Sequence, residues 1–297
     1  MGFAVFSQLL LPGLTTGCVY ALIALGFVLC YNVSNVINMA QGEFVMLGGL
    51  LAGAMYVAGI PLPLAVLLAT LAGALLGAAQ ERLTLAPVRN SPQFIQVTIT
   101  LGVAVILRGF ALIFFGKDPI ALPGFSGNGI FFLFDAILPV QTLWVWGATA
   151  LMLVAMYFFL QHTDTGRAVR ACSINPVAAR LMGVNADQLT LIVFAVAGGT
   201  GALAGAVITP IVLANWDAGF LYGLKGFIGA IMGGLRSPTI AVVAGLGVGV
   251  AESLAAGYLS SGWKDAIVYG MLLAYLLVRG GVFVFGRAGL TAGTVDR

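Results

Sequence analysis

The sequence predicts an all-α, polytopic integral membrane fold, and three observations carry that prediction. Hydrophobic residues make up 61% of the chain and charged residues 8%, against about 25% charged residues in a soluble domain. The mean hydropathy is +1.08, far outside the range in which a water-soluble core and a polar surface can both be built. The apolar runs are long and continuous, rich in Gly, Ala and Leu, whereas strands of a membrane barrel would alternate apolar and polar residues. A hydrocarbon core of about 30 Å asks for about 20 apolar residues per helix. The 297 residues therefore supply about eight crossings in one transmembrane domain, 1–297, with little chain left over.

Taken in order, crossings are expected near 7–30, 43–59, 62–82, 94–116, 141–161, 187–213, 239–257 and 263–285. The start, MGFAVFSQLLLPGL, lacks the positively charged region of a signal peptide. Between the first two crossings, NVSNVINMAQGE at 32–43 is too polar to span, and a ninth piece, YGLKGFIGAIMGGL at 222–235, is too short and glycine-rich to do so comfortably. Irregular backbone survives at membrane depth only where protein or a water-filled cavity satisfies it, so both pieces are candidates for broken helices. The small-residue runs GGTGALAGAV at 198–207 and GLGVGV at 245–250 predict close helix packing. The connection 162–186 is different in kind: its stretch GRAVRACSINPVAARLMG at 166–183 is polar, carries three arginines and must be held outside the membrane.

If the ninth piece crosses, Arg82, Arg89, Arg167, Arg170, Arg180, Arg236, Arg279, Arg287 and Arg297 fall on one side, which the positive-inside rule makes the cytoplasm. Lys117, Lys225 and Lys264 then fall on the opposite side, with Trp144, Trp146, Trp216 and Trp263 at span ends on that outer face. An internal repeat is also visible, with halves at about 13–116 and 187–285. Glu81 precedes Arg108 by 27 residues and Glu252 precedes Arg279 by the same interval, while GAAQERL at 77–83 is similar to GVAESL at 249–254. Run through the membrane in opposite senses, the halves form an inverted repeat, an architecture common among transporters.

Catalysis finds little support. There is no GxxxxGK[ST] phosphate loop, His162 is the sole histidine, and Cys18, Cys30 and Cys172 form no disulfide or metal pattern. The arginines are too scattered for nucleic-acid binding. Transport must then be driven by a partner ATPase or by an ion gradient, with Glu43 or Glu252 as the proton carrier in the latter case; a membrane-embedded assembly protein is the remaining class. Glu43 is either a pathway residue, clustered with Asn38 and Gln41, or a carboxylate placed to favour a helix start. Arg108, deep in its span, needs a partner. Glu81 and Glu252, near span ends, read as structural.

Three segments carry a family resemblance: the run 13–49 with NMAQGE at 38–43, the run 165–205 with NPVAARLMG at 175–183, and the run 223–268 opening on GLKGFIGAIMGGLRSP. In these the chain resembles, along nearly its full length, a permease of the branched-chain amino acid ABC importer family of the LivH type. The resemblance implies a bacterial inner-membrane subunit that pairs with a second, related permease, binds two cytoplasmic ATP-binding subunits and receives substrate from a periplasmic binding protein. No cofactor would be bound by this chain, ATP and Mg being held by the partners. It also implies a coupling motif, EAA followed after three residues by glycine. Ala178, Ala179 and Gly183 match it, Val177 replaces the glutamate, and Asn175, Pro176 and Arg180 complete the expected docking set. Asn38, Gln41 and Glu43 would line the substrate pathway, although Gln41 stands where the family typically has histidine. The solute could be branched-chain or other hydrophobic amino acids, urea, or aromatic and hydrophobic carboxylates.

Overall fold

The computed structural model describes residues 2–292, with side chains from residue 3 to residue 279; the side chains of Arg287 and Arg297 lie outside the described residues. The helices are α1 (Gly2–Ser34), α2 (Gln41–Val57), α3 (Leu62–Gln80), α4 (Gln93–Phe115), α5 (Gln141–His162), α6 (Asp164–Ile174), α7 (Pro176–Leu181), α8 (Ala186–Val212), α9 (Ala218–Met232), α10 (Pro238–Tyr258) and α11 (Lys264–Ala292). Each expected crossing coincides with one of these helices. Among the described residues, α1, α3 with its extension to Val88, α4, α5, α8 and α10 are long and apolar enough to cross a membrane. The chain is a multi-pass membrane protein.

The sequence of α3 shows how its two faces are used. Leu64, Leu67, Leu71 and Leu75 recur at helical spacing and are exposed, whereas Ala65, Ala69, Gly73 and Gly77, on the opposite stripe, are buried. The large residues thus point out to hydrocarbon and the small ones in, which lets α3 lie directly against α8. A Cβ at Gly73 or Gly77 would overlap Ala202 or the Phe194 carbonyl of that helix. The glycine runs noted in the sequence do the same elsewhere, Gly245 and Gly249 of α10 resting on Ala21 and Gly17 of α1. α1 and α8 occupy the centre, with 89% and 72% of their most apolar windows buried, against 17–28% in α3, α4, α5 and α10.

Two short helices, α2 and α9, each follow a break in the helical run. After α1 the chain turns at Asn35, φ 55°, and passes through non-helical residues 35–40 before α2; after α8 it turns at Leu213, φ 54°, and passes through non-helical residues 213–217 before α9. α2 and α9 both end on a left-handed glycine, Gly59 and Gly234, each closed by backbone bonds that satisfy the last carbonyls. The starts of α2 and α9 cross at Gly42, Gly219 and Gly223, where the backbones touch.

One element departs from the all-α expectation. Residues 130–139 form an antiparallel hairpin, β1 (Ile130–Leu133) and β2 (Ala136–Pro139), turned by Phe134 and Asp135 at φ 51° and 63°. Two successive left-handed residues make the tight turn that suits strand twist. The Asn-Gly or Asp-Gly pair that usually marks such a turn is missing here. The hairpin packs Ala136 and Leu138 on Leu11 of α1.

Candidate functional site

The broken entry to α2 is assembled from side chains that satisfy its backbone. Asn38 and Gln80 exchange two amide hydrogen bonds, 3.2 and 2.7 Å, tying the segment to α3. The Met39 amide donates to Thr100 Oγ1 of α4 at 3.1 Å, and the Ala40 amide to Asn38 Oδ1 at 3.2 Å. Gln41 lies between α1 and α8, where a Cβ at Gly26 would overlap it, and its Nε2 donates to the Ala197 carbonyl at 2.8 Å. These polar residues replace the partners that a continuous helix would supply. The expected cluster of Asn38, Gln41 and Glu43 does not form as such: their side chains turn to three different helices, Asn38 to Gln80 of α3, Gln41 to Ala197 of α8 and Glu43 to Arg108 of α4. All three are buried, at 0, 0 and 1% exposure, so in this conformation no solute reaches them directly.

Glu43 is salt-bridged to Arg108 of α4, whose guanidinium sits 5.3 Å over the Phe220 ring of α9. Arg108 thus has the partner it needs, and the pair joins α2, α4 and α9. Removing one member leaves a charge stranded in a low-dielectric interior. Arg108→Ala is therefore expected to cost about 3 kcal/mol, and the added Glu43→Gln to recover part of it; thermal midpoints of the single and double variants in one detergent check this.

At the arginine-bearing end, α6 and α7 form a platform between α5 and α8. Thr163 Oγ1 accepts from the Gly166 amide at 3.0 Å to start α6. Asn175 ends α6 and caps α7, its Oδ1 accepting from the Val177 and Ala178 amides at 3.1 and 3.0 Å, with Pro176 in the first turn. Gly183, φ 86°, closes α7: its amide bonds the Arg180 carbonyl and the Val184 amide bonds that of Ala179. Asn175, Pro176 and Gly183 therefore shape the helix, and Ala179 is buried in the chain's own interior beside Val169 and Cys172. Ala178 and Arg180 remain outward. The outward face also carries Ile174, Val177, Leu181 and Met182, at 67–85% exposure. Burial pushes the Cys172 thiol up, with Arg180 partly offsetting it, so this sulfur stays an inert thiol. Asn175→Ala is expected to cost about 1 kcal/mol through the lost cap, seen as a lower thermal midpoint.

The helix breaks, glycine-mediated packing and basic platform extend over most of the chain, and so does its likeness to known proteins. A family model described as "Branched-chain amino acid transport system / permease component" matches residues 9–276. The chain belongs to that family. The permease is 32% identical to the high-affinity branched-chain amino acid transport system permease protein LivH of Salmonella typhimurium, over 93% of this chain and 94% of that protein. It is 28% identical to the corresponding protein BraD of Pseudomonas aeruginosa, over 92% and 94% of the two chains. It is also 30% identical to the ribose import permease protein RbsC of Haemophilus influenzae, over 73% of this chain and 65% of that one.

Two clusters in the permease were not foreseen. Lys225, expected in an outer loop, lies two turns inside α9 because that helix starts at Ala218 rather than near 222. It is buried, and bonds Glu252 of α10 at 2.6 Å and Asp265 of α11 at 2.8 Å, while Tyr20 of α1 donates to Glu252 at 2.7 Å. Arg89 bridges Glu81 and Asp187, tying the α3–α4 connection to the start of α8. The shared 27-residue spacing does not mark equivalent ion pairs, since Glu81 binds Arg89 and Glu252 binds Lys225. Hydropathy reported each charge, but not partners this distant in sequence.

Proposed function

We propose that this chain is the membrane-spanning permease subunit of an ATP-driven importer for branched-chain or other hydrophobic amino acids in a bacterial inner membrane. The names of the LivH and BraD relatives support the solute class. The observation that carries the ATP-driven part is the α6–α7 platform. Four large apolar side chains stand exposed there outside the spans, beside Arg180, and such a patch on a water-facing surface marks a docking site. In this reading two cytoplasmic ATPases grip the platform and hold the ATP and Mg. A second, related permease completes the pore, and a periplasmic binding protein delivers substrate at the hairpin end. The same importer type carrying urea or an aromatic or hydrophobic carboxylate is the alternative.

The reading includes eight crossings, with α9 as the short additional one, and an inverted repeat relating α1–α4 to α8–α11. Its support is the matched order of parts: long helix, left-handed residue at Asn35 or Leu213, short non-helical lead-in, short helix and glycine stop. Alternating access then rocks the two halves about the α2–α9 crossing. ATP closure would press on α7, and Ala179 would pass the push to the interior shared by α1, α5 and α8. Asn38, Gln41 and Glu43 serve this cycle as the braces of the broken α2 entry.

Affinity purification of the tagged chain in mild detergent tests the reading. A second permease and two ATPase chains with vanadate-sensitive hydrolysis are expected to co-purify. An isolated, ATP-inert chain that accumulates solute in liposomes under an ion gradient would replace it with a secondary transporter.

A further inference from the structure

A groove at the arginine-bearing end is lined by two arginines that no carboxylate pairs among the described residues. It runs between α5 and α10, with α1 as its floor and α6 closing the basic end, and encloses about 380 Å³. Leu25, Leu153, Met156 and Val242 line it together with Arg170 of α6 and Arg236 just before α10. Gln161 Oε1 steadies the Arg170 guanidinium at 2.6 Å, and Asn32 Nδ2 donates to the Arg236 carbonyl at 3.1 Å, fixing the turn that leads into α10. Among the described residues neither guanidinium makes an ion pair, whereas Arg89, Arg108 and Arg167 each do.

The flanks say what the groove opens onto. Leu151, Val154 and Tyr157 of α5 and Ile240 and Val243 of α10 are exposed, so both rims face hydrocarbon. An apolar slot with a paired cationic head at the level of the span ends matches one ligand chemistry. We propose that it binds a single anionic phospholipid, the phosphate held between Arg170 and Arg236 and an acyl chain lying along α1. A zwitterionic lipid would bring a third cation to the two arginines, and a free anion would leave the apolar walls wetted. Basic pockets between membrane helices favour anionic headgroups for this reason. The bound lipid would tie α6 of the platform to the start of α10.

Native mass spectrometry of the delipidated full chain, titrated with phosphatidylglycerol or phosphatidylcholine and with inorganic phosphate as competitor, tests this. Phosphatidylglycerol should be retained in preference to phosphatidylcholine. R170Q/R236Q should lower that retention about thirtyfold, from about fivefold per arginine, while R170K/R236K keeps most of it. Val242→Trp, which fills the slot and leaves both charges, should also lower it, and Arg82→Gln, outside the groove, should not. Equal retention of phosphatidylcholine, or undiminished retention by R170Q/R236Q, would overturn the proposal. So would full competition by phosphate with Val242→Trp silent, which would mean a free-anion site, or loss of the lipid whenever co-purifying subunits are bound, which would mean a protein-covered groove.

Discussion

Gly42→Val is expected to leave almost no folded permease, while Gly102→Val and Gly147→Val leave it intact. A Cβ at residue 42 would overlap the Gly219 carbonyl and lie 2.5 Å from the Gly223 Cα and amide nitrogen, all backbone atoms of α9. Backbone cannot rotate away as a side chain can, so α2 and α9 would have to separate. Overpacking a core that can relax costs about 1–3 kcal/mol, and a branched residue against fixed backbone belongs at or above the top of that range. That is a large part of a total stability of about 5–15 kcal/mol. At Gly102 and Gly147 nothing lies within 4 Å of an added Cβ, so the same substitution meets only lipid. The check is the yield of monodisperse protein from equal membranes, with thermal midpoints. A normal yield and midpoint for Gly42→Val would show that the two helices do not cross in contact.

Arg180→Glu with Leu181→Asp is expected to abolish uptake and release the ATPase subunits while the permease still folds normally. Both side chains are exposed and contact little of their own chain, so stability should be unaffected, as for surface changes generally. Central interface residues often cost about 2 kcal/mol or more when lost, which is about thirtyfold in affinity for each site. Ala179→Glu is the instructive contrast. Ala179 is 5% exposed and packed inward, so a glutamate there should unseat α7 itself and lower the thermal midpoint. Solute uptake, ATPase co-purification and midpoint, measured for both variants, separate lost docking from lost folding. Full uptake by Arg180→Glu/Leu181→Asp would remove the platform from the transport cycle.

How far the sequence spoke depended on whether a feature was local. The helices were legible because each expected span is written in about 20 consecutive residues, and each coincides with a helix of the structure. The polarity of NVSNVINMAQGE at 32–43 marked a break between the first two helices, and the structure puts non-helical backbone and a turn at 35–40, with α2 starting at Gln41. What the polar side chains do was not legible, because Gln80, Thr100 and Ala197, which bond them or receive their bonds, lie in three other helices. The platform was found by its arginines, yet its outward face is mainly Ile174, Val177, Leu181 and Met182. Only the helix phase set by Asn175 and Gly183 decides that Ala179 turns in and these turn out. Lys225 was misplaced because a lysine in a short glycine-rich piece looks like a loop residue until Glu252 and Asp265 are seen beside it.

The crossing of α2 over α9 has a mechanical side. Helices usually lock by seating the side chains of one between those of the other, so that sliding must climb out of one set of holes and into the next. Gly42, Gly219 and Gly223 present no such teeth. Backbone meets backbone there, so a swivel of α2 on α9 would have only the Glu43 carboxylate, which lies against Gly219, to displace at the point of contact. The ion pairs of Glu43 with Arg108 and of Lys225 with Glu252 and Asp265 stand to either side like stops, so the joint is lightly held at its centre and limited at its ends.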